Sequence, residues 1–319
     1  MKKNVKLEKK MFTCLSDNIS NRIIMTTTTA VIGLVLALYN ANTTTDWVRV
    51  AHAAQSGVPI RAILPVHGVV PPDPNWAPVY PADPSAYRTG VELLKSSGVE
   101  VYAYTHLRNL SMDCCTCCGN LTQFQEWLDV IKSTATFDGV MLDNNDSPWS
   151  APDENKKGLE SMYLPAARMV QQAGLGVWAN GPHVSKTGHI NAKATEWHKY
   201  LEYSNFTTLF EMSMDDWENF YPPNVNFSER LQWPSEKLGG YILDIPDEPA
   251  KAATAIETSL TMAVTRGLKW LYPTITCQHR TGSCTYAHLP TYWDVLISTI
   301  QRINSKTEKE GALVVAESE

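Results

Sequence analysis

Eight short apolar runs alternate with eight helix-like stretches in this chain of 319 residues, and this alternation constrains the fold more than any other feature. Each run is apolar at successive positions, which indicates strands that are buried on both faces, as in a parallel sheet covered by helices. The runs are 31–39, 59–66, 99–105, 138–143, 175–180, 206–211, 238–244 and 268–272. The helix-like stretches are 46–56, 84–97, 120–134, 157–173, 192–203, 226–233, 249–266 and 290–304. Eight such units predict an α/β fold, a single (β/α)8 TIM-type barrel over residues 30–305.

The first apolar run has two interpretations. It follows a lysine-rich start, as the hydrophobic part of a targeting segment would. However, four threonines interrupt the span, and the uninterrupted apolar part, 30–39, is shorter than the roughly 20 residues that a membrane helix needs. We therefore expect Val31–Tyr39 to form the first barrel strand. Residues 1–29 are then a polar tail, disordered or targeting, and 306–319 form a C-terminal tail.

The charge of the chain limits the class of partner. The formal net charge is −6, although residues 1–10 contain five lysines and one glutamate. The remaining residues, 22 basic and 32 acidic, therefore carry about −10. A field of this sign opposes binding to nucleic acid or to an anionic membrane, and it suits a neutral or cationic substrate. We expect no stable membrane insertion.

Polar side chains follow most of the predicted strands, at the barrel face where active sites are found. Three of them are carboxylates, Asp143, Glu211 and Asp244, after the fourth, sixth and seventh strands. Two carboxylates on either side of a glycosidic bond perform glycoside hydrolysis, so these three residues are candidates for a catalytic pair. The other interpretation of Asp143 is an ordinary Asn/Asp-rich turn. The polar strand-end residues are Asn40, His67, Thr105, His106, Asp143, Asn180, Glu211 and Asp244.

Aromatic residues also concentrate near the predicted strand ends, where they either stack on sugar rings or pack the barrel against its helices. No Ser-His-Asp order, glycine-rich phosphate loop or His-x-x-x-His pattern competes with the carboxylates, and we expect no cofactor and no metal. The aromatic residues in question are Tyr39, Trp149, Trp178, Trp217, Trp270 and Tyr272. The predicted substrate-binding residues are Tyr39, His67, His106, Asn144, Trp178, Asn180 and Tyr272.

Six of the seven cysteines lie in two clusters, each after a predicted strand. Disulfides that brace two loops, a zinc site and free thiols are all compatible with this spacing, and the overlapping Cys-x-x-Cys pairs of the first cluster favour disulfides over zinc. Disulfides and seven Asn-x-Ser/Thr sequons indicate an extracellular or cell-surface protein, with a cytoplasmic one as the alternative. The disulfide candidates are Cys114, Cys115, Cys117, Cys118, Cys277 and Cys284.

Several segments, in the order of the predicted strands, resemble the spherulin-4-like proteins, a family that includes barrel glycoside hydrolases acting on galactosamine-containing polysaccharide. The resemblance runs from about Val31 to Thr276, most of the chain. Its pieces are Tyr39 followed by Asp46-Trp47, Leu64-Pro65-Val66-His67-Gly68, residues 98–105, residues 137–143, Ala179-Asn180-Gly181-Pro182 and Leu209-Phe210-Glu211.

The resemblance implies an endo-acting glycosidase for α-linked galactosamine or N-acetylgalactosamine polysaccharide. The family's functional carboxylates are an Asp-Glu pair and a Glu after the sixth strand, which match Asp143 and Glu211, while the Glu of the pair is Asn144 here. The resemblance therefore implies Asp143 and Glu211 as the catalytic pair, with Asp146 and Asp244 as alternatives for the second role. Together with Asp146, this form of the motif resembles the related endo-α-1,4-polygalactosaminidase barrels. The alternative is a non-catalytic carbohydrate-binding or structural spore- or cell-coat barrel that has lost one acid of the pair.

Overall fold

All eight predicted strands are present in the computed structural model, each within a few residues of its predicted bounds. The structure describes residues 31–38, 44–67, 69, 84–107, 121–143, 163–180, 201–221, 224–275 and 288–316. The strands are β1 (Leu34–Ala37), β2 (Ile60–Leu64), β3 (Glu100–His106), β4 (Gly139–Asp143), β5 (Gly176–Asn180), β6 (Phe206–Ser213), β7 (Leu238–Leu243) and β8 (Trp270–Pro273). Their residues are almost all buried, as continuous apolar runs predict.

The strands form one eight-stranded sheet in chain order, and every neighbouring pair is parallel. Gly33, just before β1, closes the sheet against β8: its N–H donates to the Lys269 carbonyl at 2.7 Å, and its carbonyl accepts from the Leu271 N–H at 3.1 Å. The predicted TIM-type barrel is therefore confirmed. Because Leu34–Ala37 is hydrogen-bonded to β2 and Gly33 to β8, the strand interpretation of the first apolar run is confirmed as well.

Helices follow the strands as the alternation predicts, with two differences. The last helix continues to Ala316, past the predicted end at 304, and a short helix that the sequence did not predict, Met214–Asn219, directly follows β6. None of the helices that lie in the described ranges is long and apolar enough to cross a membrane. The helices are Thr44–Gln55, Pro84–Ser96, Leu121–Thr134, Leu164–Gln172, Met214–Asn219, Phe227–Leu231, Pro249–Thr265 and Trp293–Ala316, with residues 201–203 also helical.

A cation between aromatic rings fills the amino-terminal end of the barrel. The Arg61 guanidinium lies 4.1 Å from the Trp270 ring centroid and 4.8 Å from that of Phe206. Its Nε also donates to Glu100 Oε2 at 2.9 Å, so the charge is paired. Trp178 and Tyr102 continue this aromatic packing. This end of the barrel is closed by side chains, which leaves the opposite end for a ligand.

Candidate functional site

Asp143, the last residue of β4, is held by two hydrogen bonds at the carboxyl-terminal end of the barrel. The Tyr104 hydroxyl donates to its Oδ2 at 2.6 Å, and the Asn180 Nδ2 donates to its Oδ1 at 2.9 Å. Asp143 itself is only 3% exposed. Both carboxylate oxygens act as acceptors, which matches the hydrogen-bonding capacity of an ionised carboxylate.

The register of three adjacent strands explains why these residues meet. Across the sheet, Asp143 of β4 is the Cα partner of His106 on β3 and of Asn180 on β5. The three residues therefore lie at one level of the barrel. Since side chains alternate along a strand, Tyr104 faces the same side as His106, two residues further on. The strand ends therefore bring His106, Asp143 and Asn180 to one level, while their roles in catalysis and binding stay predictions.

Glu211, the second predicted carboxylate, lies on β6 with an exposed side chain. The pairing between β6 and β7 is regular at Thr208, shifts between Thr208 and Glu211, and resumes with Glu211 opposite Tyr241. An irregularity of this kind changes the direction of the side chains that follow it, and such features are common near active sites. It separates the buried part of β6 from the part that carries Glu211.

Tyr241 of β7 is influenced by both predicted carboxylates. Its pKa is raised well above the ordinary tyrosine value, first by burial and then by the nearby Glu211, Tyr272 and Asp143. Both carboxylates therefore lie close enough to Tyr241 to disfavour its phenolate, even though they stand on strands two apart. The hydroxyl therefore keeps its proton at neutral pH.

The other predicted polar residues lie at the same end of the barrel. His67 follows β2 and is exposed. Asp244 directly follows β7, is exposed, and adopts a φ of 65°, the left-handed region that aspartate tolerates better than most residues. Asp244 therefore stands at the carboxyl-terminal end of β7 with its side chain open to solvent.

Of the predicted aromatic residues, those that the structure describes are buried and pack the barrel. Trp178 is fully buried, and its Nε1 donates to Thr208 Oγ1 at 2.7 Å. Tyr272 is buried against Tyr241, with ring centroids 6.2 Å apart. Trp217 packs against Phe227, and Trp270 begins β8 at the opposite end of the barrel from the carboxylates. These placements favour the packing interpretation, because stacking on a sugar needs an exposed ring face.

The remaining predicted residues lie outside the residues that the structure describes. Among the residues that the structure does describe, no three His, Cys, Asp or Glu side chains come together as a possible metal site. The predicted residues outside the described ranges are Tyr39, Asn40, Asn144, Asp146, Trp149, Cys114, Cys115, Cys117, Cys118, Cys277 and Cys284.

Two residues of the site, Tyr104 and Tyr241, were not predicted from the sequence. Both stand inside apolar strands, where a tyrosine is usually a core residue. The available signal was the spacing of Tyr104 from His106, which puts the two on one face of β3. Nothing comparable marks Tyr241, since its neighbours along β7 are glycine and isoleucine.

Comparison with known proteins places this barrel in a family. The model of Spherulation-specific family 4 matches residues 33–300, which is most of the chain. The chain belongs to this family. No curated protein matches the sequence.

Solved structures share the fold of this Spherulation-specific family 4 member at low sequence identity. Aspergillus clavatus Sph3, solved in complex with GalNAc, is 12% identical, with a TM-score of 0.51 over 84% of this chain and 97% of that one. A C-terminal domain from Desulfitobacterium hafniense DCB-2 is 9% identical, with a TM-score of 0.56 over 86% of this chain and 99% of that one. At such identities the likeness concerns the barrel fold alone.

Proposed function

We propose that this protein is an endo-acting glycoside hydrolase that cleaves α-linked galactosamine or N-acetylgalactosamine polysaccharide. The observation that carries the proposal is the Asp143 carboxylate, buried at the carboxyl-terminal end of β4 with hydrogen bonds to Tyr104 and Asn180, in one site with Glu211. Membership of Spherulation-specific family 4 supports it. The fold it shares with Aspergillus clavatus Sph3, which was solved with GalNAc, suggests the sugar.

The different surroundings of the two carboxylates support a division of roles. Asp143 accepts hydrogen bonds on both oxygens, which suits an ionised group that attacks the anomeric carbon or activates a water. Glu211 is exposed at the mouth, where it can protonate the leaving oxygen of a bound polysaccharide.

The same reasoning extends to the compartment. A polysaccharide substrate, the two cysteine clusters and the seven sequons favour an extracellular or cell-surface protein whose loops are braced by disulfides. Mass measurement of the native protein before and after reduction tests this, because each disulfide adds two hydrogens on reduction. Fully reduced native protein would contradict this part of the proposal.

Asp143→Asn tests the catalytic assignment, because it keeps the size of the side chain but removes the negative charge. We expect the release of reducing ends from partially deacetylated galactosaminogalactan to fall by about a thousandfold or more, which corresponds to several kcal/mol of barrier. Glu211→Gln should show a comparable loss.

Asp138→Asn is the matched control. Asp138 precedes β4 at the other end of the barrel, where it accepts from Lys95 Nζ and the Val101 N–H, both at 2.8 Å. Its replacement should leave the rate of hydrolysis of the folded protein unchanged. Equal rates for Asp143→Asn and wild type would refute the assignment of Asp143.

Asn144 favours a second candidate function, a non-catalytic carbohydrate-binding or coat protein, because an amide stands where the family has a Glu. An amide orients a hydroxyl but exchanges no proton. Binding of the polysaccharide without any turnover, unaffected by Asp143→Asn, would favour this second function.

A further inference from the structure

Only one of the two polar atoms of the Asn180 amide makes a hydrogen bond within the described structure. Its Nδ2 donates to Asp143 Oδ1 at 2.9 Å, while its Oδ1 is buried and has no hydrogen-bond partner among the described residues. The residue is only 8% exposed. A buried acceptor without a partner is rare in native proteins because it loses its hydrogen bonds to water and gains none in return, so it calls for an explanation.

The orientation of this amide is fixed by chemistry. Both oxygens of Asp143 accept hydrogen bonds, so the group of Asn180 that faces them has to be the donor, Nδ2. Turning the amide over would set its oxygen against a carboxylate oxygen, with two acceptors at hydrogen-bond distance and no hydrogen between them. The acceptor of Asn180 is therefore held beside the carboxylate, buried and without a hydrogen-bond partner among the described residues.

The nearest donor on a bound sugar can be derived from the ring itself. If Asp143 acts on the anomeric carbon, the neighbouring ring atoms are the ring oxygen, which carries no hydrogen, and C2. The first donor next to the reaction centre is therefore the substituent on C2: a hydroxyl, an ammonium or an acetamido N–H. Hydrogen bonds to this substituent that strengthen in the transition state are a general source of glycosidase rate enhancement.

We infer that Asn180 is a specificity-determining residue that joins the candidate catalytic carboxylate to the C2 substituent of the substrate. Its Nδ2 orients Asp143, and its Oδ1 accepts a hydrogen bond from a donor on C2 of the sugar bound there. The inference rests on the proposed function and deepens it, since it states which sugars the site selects. A sugar without a donor at C2 leaves the acceptor unpaired and is rejected.

Calorimetric binding of four monosaccharides to the wild-type protein tests the selection without any turnover. Galactose, galactosamine and N-acetylgalactosamine each carry a donor at C2, and 2-deoxygalactose carries none. We expect 2-deoxygalactose to bind about tenfold more weakly than galactose, and galactosamine to bind best because its donor is charged. The order among the three donors identifies which C2 group the site prefers.

Two variants assign the selection to Asn180. Asn180→Ala removes the acceptor together with one hydrogen bond to Asp143, so galactose and 2-deoxygalactose should then bind with equal affinity. Tyr104→Phe is the matched control, because it removes the other hydrogen bond to Asp143 and leaves the Asn180 acceptor in place. It should keep the tenfold preference.

A preference that survives in Asn180→Ala, or that is lost equally in Tyr104→Phe, would overturn the inference. Equal binding of all four sugars by the wild type would overturn it even if Asn180→Ala did not fold, and would leave the proposed hydrolysis standing. Failure of the wild type to bind any of the four sugars would likewise overturn the inference, whereas the proposed hydrolysis stands or falls separately with the release of reducing ends from the polysaccharide.

Discussion

Tyr104→Phe isolates the hydrogen bond that orients Asp143. The substitution removes one oxygen atom and leaves the ring in place, so the packing of β3 is preserved. The lost bond is short, 2.6 Å from the Tyr104 hydroxyl to Asp143 Oδ2, and it goes to a buried carboxylate. Hydrogen bonds to charged groups contribute about 1.5–3 kcal/mol. If that energy serves to orient Asp143 in the transition state, kcat should fall by about 10- to 150-fold at 1.36 kcal/mol per tenfold.

Tyr102→Phe provides a closely matched control on the same strand. Tyr102 is also buried, lies two residues earlier on the same face of β3, and donates to a carboxylate, Glu100 Oε2, at 3.2 Å. Its hydroxyl, however, is at the amino-terminal end of the barrel. Tyr102→Phe should therefore lower stability by about 1 kcal/mol or less and leave kcat of the folded protein unchanged.

Steady-state hydrolysis of galactosaminogalactan and urea unfolding, measured on both variants, decide between a positioning role and a structural one. A positioning role predicts a loss of kcat in Tyr104→Phe alone, with little change in KM, because the bond acts on the reacting carboxylate. Equal kinetic losses in the two variants, or a kcat of Tyr104→Phe that matches the wild type, would refute the reasoning.

Two further predictions concern stability. Arg61→Ala should lower the free energy of unfolding by about 2–4 kcal/mol, because it removes the cation between two aromatic rings and leaves the Glu100 carboxylate without its cationic partner. Arg49→Ala should change the free energy of unfolding, measured in urea, by less than about 0.5 kcal/mol, since the partner of Arg49 is a 93% exposed aspartate 3.4 Å away. An equal loss of stability in the Arg49 and Arg61 variants would contradict the role of Arg61. At high pH, several buried tyrosines have a raised pKa because burial disfavours the phenolate, so the native state keeps protons that the unfolded chain loses above about pH 10. Stability should then fall as pH rises past that value, by about 1.4 kcal/mol per pH unit for each such tyrosine, and tyrosinate absorbance should rise together with unfolding in circular dichroism. Gradual ionisation in a chain that stays folded would contradict this. These tyrosines are Tyr102, Tyr163, Tyr221, Tyr241, Tyr272 and Tyr292.

The barrel itself was predictable from the sequence because its signal is local. A strand buried on both faces requires consecutive apolar residues, and Gly139–Leu142 before Asp143 is such a run. The helix Met214–Asn219 was missed because it begins directly at the end of β6, with Ser213 accepting from the Asp216 N–H as its cap and no intervening loop to mark it.

The polar residues at the strand ends were also predictable, because the carboxyl ends of parallel strands meet on one face of a barrel. This geometry follows from strand order alone, so Asp143, Asn180 and His106 were expected together, and the register places them at one level. The same reasoning could not predict which aromatic rings are exposed, since whether Trp178 faces sugar or protein depends on what packs against it.

What the sequence alone determined, therefore, is the barrel, its strand order and which carboxylates reach its mouth, since each depends on residues close together in the chain. Tertiary structure decided the partners of those carboxylates. Tyr104 and Asn180 lie 39 and 37 residues from Asp143, and their hydrogen bonds depend on the stagger of three strands. The same stagger places the Asn180 amide against Asp143, with Nδ2 donating because an ionised carboxylate only accepts, and Oδ1 keeps no hydrogen-bond partner among the described residues.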